Sequence, residues 1–241
     1  MAPRDHLREA FGDAAPEHLA WQTQSPFVSD CERALVRAAF LPLGARVLDL
    51  GCGEGATLVH LDAPDGAVGV DLFEPKLVLA RQVLPGCRFV AASADALPFP
   101  DGSFDHVLVR DVIHHLDEPG PAMREIRRVL APGGRVDVLE PCRYNPLIAL
   151  HAVTQPAERG ELRSTVPFLA ELVGRIARVV SVERHQAMPI HRVVFHPTYS
   201  SPRAAASLRV RAAVAAVERL AERVVPRWSW AYIHVRGSIG S

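Results

Sequence analysis

The stretch that most constrains the fold of this chain runs from Arg46 to Leu58 and reads RVLDLGCGEGATL. Val47, Leu48 and Leu50 form the short apolar run that a strand buried in a parallel sheet requires. Gly51, Gly53 and Gly55 follow at once, so the strand breaks into a glycine turn. Glycine admits positive φ and lets a ligand approach the backbone, while a helix beginning near Glu54 directs unpaired N–H groups at the turn. The segment reads as a strand-end binding site.

Two kinds of nucleotide ligand use such a turn, and the glycines alone do not separate them. A dinucleotide needs G-x-G-x-x-G/A with a pyrophosphate on the helix terminus, and GCGEG with Ala56 in the last place is compatible with that spacing. Charge separates the two. Asp49 in the strand and Glu54 at the helix start would repel a pyrophosphate and attract a cationic ligand. S-adenosylmethionine (SAM), with a sulfonium and an ammonium and no phosphate, is such a ligand.

At 241 residues the chain is long enough for a full core, and one domain with additions is the simplest organisation. No uninterrupted apolar run approaches the ~20 residues of a membrane span. The N-terminus lacks the apolar stretch of a secretory signal, so a cytoplasmic protein is expected. Cys31, Cys52, Cys87 and Cys142 are scattered without C-x-x-C pairing, which predicts free thiols. With 27 basic and 27 acidic residues the chain shows no basic excess, which argues against a nucleic-acid partner.

Taken in order, Ser29 and Glu32 form a capping-box signature for a helix running to about Leu41, with Leu35, Val36 and Phe40 as its apolar face. Trp21 and Phe27 either anchor this N-terminal segment to the core or cover the mouth of the site. After the glycine turn come a helix over Ala56 to Leu61, a second strand over Ala67 to Val70, and a helix from Glu74 to Val83. Asp71 follows the second strand, about twenty residues past Gly51, where a βαβ unit places an acid for ribose hydroxyls. A helix-capping role is its alternative. Arg88 to Ala92 forms the third strand. At its exit Asp95 offers a carboxylate to an adenine amine and Ala96 a backbone N–H to a ring nitrogen, with an Asx turn as the other reading. Phe104 to Val109 is the fourth strand, with Arg110 and Asp111 at its edge and His114 and His115 on the next turn. A helix over Met123 to Leu130 ends at APGG, and Arg135 to Leu139 is the fifth strand. This βαβα repetition predicts a parallel sheet with helices on both faces.

VLDLGCGEG, VGVD, ADALPFPDGSFD, HHL and RVLAPGGR, in this order and spacing, resemble the class I SAM-dependent methyltransferases of the small UbiE-like group, methyltransferase domain 11. The resemblance covers Gly44 to Pro141. It implies an α/β, Rossmann-like doubly wound sheet, seven-stranded and mostly parallel with an antiparallel edge. An N-terminal helical cap over 1–43 would precede a SAM-dependent methyltransferase domain over 44–241. It also implies that the glycine turn lies against the methionine part of SAM, the acid after the second strand binds the ribose, and the Asp-Ala pair binds adenine. The cofactor-binding residues are then Asp49, Gly51, Cys52, Gly53, Asp71, Leu72, Asp95, Ala96 and Arg110, the last through its backbone. Arg110 stands where relatives commonly carry a small or neutral residue. A cation beside a sulfonium predicts a side chain turned away or paired with an acid.

Arg178 to Glu183 alternates as a sixth strand. For the seventh, Trp230 to Val235 is preferred over Ile190 to Phe195, which leaves 185–228 as a helical insertion on the acceptor side. Within it Val210, Ala213, Val214, Val217, Leu220 and Val224 share one face of an arginine-flanked helix. Core packing is expected of that face, with peripheral membrane contact as the alternative and no stable insertion.

Methyl transfer is an in-line displacement on an already activated sulfonium, so orientation supplies much of the acceleration and a base is needed only for a protonated acceptor. His115 is the candidate base and His114 its less favoured neighbour. Glu140 is expected to face the same crevice, as are Arg143, Tyr144 and Asn145. His185, His191 and His196 lack helical metal-ligand spacing, and no metal is expected. The expected function is methyl transfer from SAM to a small, apolar metabolite, such as a quinone or a polyketide-like phenol, by a monomer or homodimer. An NAD(P)-dependent oxidoreductase and a SAM-binding protein without transferase activity are the alternatives.

Overall fold

The computed structural model describes residues 21–196 and 206–240, beginning with the short helix α1 (Trp21–Gln24). The first part of the expected N-terminal cap, and 197–205 of the expected insertion, lie outside the described residues. Seven strands, β1 (Val47–Leu50), β2 (Val68–Asp71), β3 (Arg88–Ala91), β4 (Phe104–Arg110), β5 (Leu130–Pro141), β6 (Arg178–His185) and β7 (Tyr232–Ser238), form one sheet in the order β3-β2-β1-β4-β5-β7-β6. β1 to β5 run parallel to one another, and β7 runs antiparallel to both β5 and β6. The strand order reverses between β1 and β4, which opens a crevice at their carboxyl ends.

Side-chain alternation along the central strands builds a core on each face of the sheet. Leu48, Leu50, Val107, Val109, Val136 and Val138 pack with α5 (Pro119–Val129) and α7 (Val166–Gly174) through Met123, Ile126, Leu169 and Val173. Val47, Leu108 and Leu139 point the other way, against α2 (Pro26–Phe40), α3 (Ala56–His60) and α4 (Glu74–Val83), through Leu35, Phe40, Leu58 and Leu77. Burial of each such side chain stabilises the fold by roughly 1.5–3 kcal/mol. One polar strut crosses this second layer. The fully buried Asp137 accepts from Arg236 and pairs with His106 at 2.8 Å and His234 at 2.7 Å, tying β4, β5 and β7 together.

Several boundaries differ from the sequence expectations. α2 starts at Pro26, not Ser29, because proline at the first helical position costs no hydrogen bond; Ser25 is the cap residue. Glu32 is therefore mid-helix, and its side chain is fully buried. β5 begins at Leu130, because Leu130 already pairs with Phe104 ahead of a bulge. Ile190–Val194 is a short helix, α8, and the seventh strand is the C-terminal segment, as preferred. Helix α9 (Leu208–Val224) forms, but its expected apolar face is not the buried one. Val214 and Ala221 are buried while Val217, Leu220 and Val224 are 49%, 57% and 69% exposed, because only the stripe through Val210 and Val214 meets Val28 and Phe195. All four cysteines are free. Among the described residues no helix is long and apolar enough to cross a membrane.

Candidate active site

The crevice is a cavity of about 640 Å³, within the range of small-molecule sites. The ends of three neighbouring strands converge on it. Leu50 to Gly53 come from β1, Val70 to Phe73 from β2, and Ala92 to Ala94 from the exit of β3, with Arg110 to Val112 from β4. Opposite chemistry arrives from the helices: α6 (Pro146–Thr154) supplies Leu147, Ile148 and His151, and a 3-10 segment over Pro156–Arg163 supplies Ala157, Glu158 and Glu161. Pro189, Arg192, Val193, His196 and Tyr232 complete it.

The glycine turn is held in shape by backbone and by one carboxylate. Gly51, with φ 75°, donates to Val70 O at 2.7 Å, and a Cβ there would lie 2.2 Å from Val112 Cγ2. Only glycine fits that place. Asp71 accepts from Gly53 N through Oδ2 and from Phe73 N through Oδ1, both at 2.9 Å. It thus bridges the turns after β1 and β2, and its remaining lone pairs are available to ribose hydroxyls. Asp49 lies one residue back from the lining, buried, and its Oδ2 has no hydrogen-bond partner among the described residues. Burial pushes its carboxyl up to about 7, against the pull of Arg110 and with added repulsion from Asp71 and Glu54. An orphaned buried carboxylate beneath a glycine cradle fits a ligand that brings a cation.

Arg110 lines the cavity, but its guanidinium is paired, as expected of a cation at that place. Its partner is Glu32 of α2. Glu32 also accepts from Arg192 Nε at 2.7 Å and Nη2 at 2.6 Å, and meets His191 Nε2 at 3.0 Å. Burial alone would raise the Glu32 carboxyl; Arg192, Arg110 and His191 outweigh it and hold the group well below the usual range. Arg192 also stacks on Tyr232, 4.8 Å from the ring centroid. Trp21 lines the cavity and makes an edge contact with His196, while Phe27 lies outside the lining and packs on Phe195.

Of the expected site residues, Gly51, Cys52, Gly53, Asp71, Leu72, Arg110 and His115 line the cavity. Asp95 and Ala96 do not: they are exposed, and Ser93 and Ala94 take the lining positions. Glu140 is a correction. It is fully buried outside the lining, and its carboxylate accepts from the backbone N–H of Val112, Ile113 and His114 and bonds His114 Nδ1 at 2.7 Å. A carboxylate so engaged organises the turn after β4 and has no face left for an acceptor. Arg143 and Tyr144 are likewise outside the lining, and the buried Asn145 caps α6 while donating to Ala187 O and Ser229 O. His191 belongs to the Glu32 network, not to the lining.

His115 lies at the cavity with its Nε2 3.8 Å from Glu158. Burial, then the neighbouring His114, lowers its pKa to about 4, so it is neutral at pH 7 and able to accept a proton. Glu32, Arg192, His151, Glu158 and Glu161 went unrecognised in the sequence. Glu32 was disguised by its capping-box spacing. Glu158 and Glu161, three residues apart with His151 seven before Glu158, carried a faint one-face signal.

Comparison with known proteins agrees with this geometry. The family described as "Methyltransferase domain" matches residues 48–137, the segment that holds the glycine turn and β1 to β4. The demethylmenaquinone methyltransferase of Thermus thermophilus is 37% identical over 139 residues, 54% of this chain and 63% of that protein. An uncharacterised methyltransferase of Schizosaccharomyces pombe is 31% identical over 186 residues, 68% of this chain and 65% of its own. The chain thus spans just under two thirds of the length of these relatives. Among solved structures, a SAM-dependent methyltransferase of Thermotoga maritima, titled a possible histamine N-methyltransferase, has a TM-score of 0.65 at 21% identity, over 97% of this chain and 98% of that one. At that identity the likeness speaks to fold alone, while the motif segment speaks to the cofactor, and the dinucleotide alternative falls away. Residues 48–137 thus match the methyltransferase domain family on a class I fold, and S-adenosylmethionine is the cofactor that these residues fit.

Proposed function

We propose that the protein transfers a methyl group from S-adenosylmethionine to a small, largely apolar metabolite with an ionisable oxygen or carbon, of the quinol or phenol kind. The observation that carries the reading is the second half of the cavity. Leu116, Leu147, Ile148, Ala157, Pro189 and Val193 give that part of the lining apolar walls, and His115 lines the same cavity. The match to a demethylmenaquinone methyltransferase supports this acceptor class.

When bound, the cofactor supplies a methyl carbon already activated by the adjacent sulfonium. Everything else falls to this chain's residues. The peptide backbone of Gly51 to Gly53 would hold the methionine part, with Asp49 to balance an ammonium. Asp71 would take the ribose hydroxyls while it holds the two turns in register. Glu32 cancels the Arg110 charge, which would otherwise oppose a sulfonium nearby. His115 would receive the proton that an acidic acceptor loses as its oxygen or carbon takes the methyl from the sulfur, leaving the methylated product and S-adenosylhomocysteine.

Labelled-methyl SAM incubated with quinols, phenols and amines of matched size tests the reading. Label in quinol or phenol products is expected. Transfer to amines alone overturns the acceptor class, and SAM binding with no labelled product leaves a binding protein instead. Asp71→Ala is expected to weaken SAM binding by about 1–3 kcal/mol, the scale of losing hydrogen bonds to a charged group. An unchanged affinity refutes its ribose role.

A further inference from the structure

We propose that the cavity wall formed by the turn after β4 and the Pro156–Arg163 segment holds a divalent transition-metal ion on His114, His115 and Glu158. The ligand atoms of these three residues lie within 4.8 Å of one another, and all three line the cavity. His114 Nε2 stands 3.3 Å and His115 Nε2 3.8 Å from Glu158 Oε2. Metal bonds of ~2.0–2.2 Å in tetrahedral geometry put neighbouring ligand atoms roughly 3.3 Å apart, so the group closes on an ion with little movement. Two imidazoles and one carboxylate on a cavity wall, with room for further ligands, suit zinc, manganese or ferrous iron better than magnesium.

Two further observations separate this cluster from a chance gathering of polar groups. The first is the carboxylate behind it. Glu140 takes His114 Nδ1 at 2.7 Å, which assigns the Nδ1 proton and leaves Nε2 aimed at Glu158. Nε2 forms its own hydrogen bond to Glu158 at 3.3 Å, so a metal there would take the place of a proton. Ligating histidines are oriented in this way by an outer carboxylate. The second is the packing of the two segments. Arg163 donates to the carbonyls of His114, Leu116 and Asp117, and a Cβ on Gly160 would lie 1.7 Å from His114 O. Glu158 is thereby held opposite the histidines by backbone contact. His151 and Glu161 adjoin, with Nδ1 and Oε2 3.4 Å apart, and place a fourth ligand within reach of Glu158.

Two other groupings of ligand-type side chains among the described residues lack this arrangement. Cys31, His191 and Glu218 do not line the cavity. In Glu183, His185 and His234, the His234 Nε2 is spent on Asp137, and none of the three lines the cavity. The expectation of no metal rests on His185, His191 and His196, none of which contributes to the site. With an ion bound, His115 Nε2 would be a ligand and not a base, and the ion would stabilise an oxyanion of the acceptor as a Lewis acid in its stead.

The test uses the full chain, stripped with a chelator and dialysed against Zn²⁺, Mn²⁺, Mg²⁺ or Co²⁺, with bound metal counted by mass spectrometry. The expected result is about one zinc or manganese per chain, little magnesium, and visible d–d bands on cobalt loading. Glu158→Gln and His115→Ala are each expected to weaken binding at least ~10-fold, and Glu140→Gln by ~10- to 100-fold. Glu183→Gln, at the other cluster, should leave the stoichiometry unchanged. Absence of stoichiometric zinc, manganese or cobalt on the folded chain, or uptake that survives both Glu158→Gln and His115→Ala, overturns the proposal. SAM binding measured on the same samples keeps the two readings apart, because it requires none of these metals.

Discussion

Removing the Glu32 charge tests how the cavity is assembled. The carboxylate is wholly buried, and its partners are nearly so, with Arg110 5% and Arg192 19% exposed at the side chain. Solvent does little to screen these pairs. Breaking a buried ion pair by removing one member costs ~3–5 kcal/mol, because the stranded cations stay out of water. Glu32→Gln keeps the volume and one acceptor, so the lower end, about 3 kcal/mol, is expected. With a urea slope near ~3 kcal/mol/M, suited to a chain this long, the unfolding midpoint should fall by about 1 M. Arg192→Met should also destabilise, and the double variant should lose less than the sum by ~0.5–3 kcal/mol. SAM affinity should fall in Glu32→Gln as well, since Arg110 would then face the sulfonium unneutralised. The pH dependence has a definite sign. A depressed carboxyl contributes stability above its unfolded value, so the Glu32 contribution is intact at neutral pH and is lost only as pH falls through a value well below the usual carboxylate range. A midpoint shift below ~0.3 M with additive single variants would refute the network's role.

Other expectations concern the cofactor half and the base. Gly51→Ala adds a positive-φ penalty of ~1–2 kcal/mol and a clash with Val112 of ~1–3 kcal/mol. Val112→Ala in the same chain should restore only the second part, read by urea unfolding. Asp49, with a folded pKa of about 7 against an unfolded value near ~3.9, holds a proton that the unfolded chain lacks between those values. Stability of the ligand-free protein should therefore fall as pH rises from ~4 to ~7, while SAM affinity rises toward pH ~7 and then levels. Calorimetry of Asp49→Asn should show neither slope, and a slope that persists would exclude Asp49. His115→Gln should lower turnover by ~100- to 10,000-fold with SAM affinity unchanged. With a His115 pKa of about 4, the wild-type rate should not fall on its account until pH nears that value.

The cofactor half was legible in the sequence because its determinants are local. A β-strand running into glycines fixes where the backbone turns, and Gly51 and Asp71 act within a few residues of the strands that carry them. Asp95 and Ala96 show the limit of that logic, since a one- or two-residue offset at the exit of β3 moved the lining to Ser93 and Ala94. Glu140 was misassigned because strand-end position alone does not say which way a carboxylate turns. The nearby N–H groups of Val112, Ile113 and His114 claimed it. In α9 the helix was readable from its period, but the side chosen for burial was not, since more apolar residues were available than neighbours to cover them.

Sequence by itself determined the parallel α/β class, the strand that bears the glycine turn, the acid at the end of β2 and the cationic, phosphate-free character of the ligand. Each follows from residue type and short-range spacing. Only the tertiary structure decided that Glu32 neutralises Arg110 from 78 residues away in the chain, and that Glu158 stands opposite His114 across 44. Such pairs depend on how helices from distant segments dock on the sheet. No local period records that docking, because the burial that drives it is summed over the whole core.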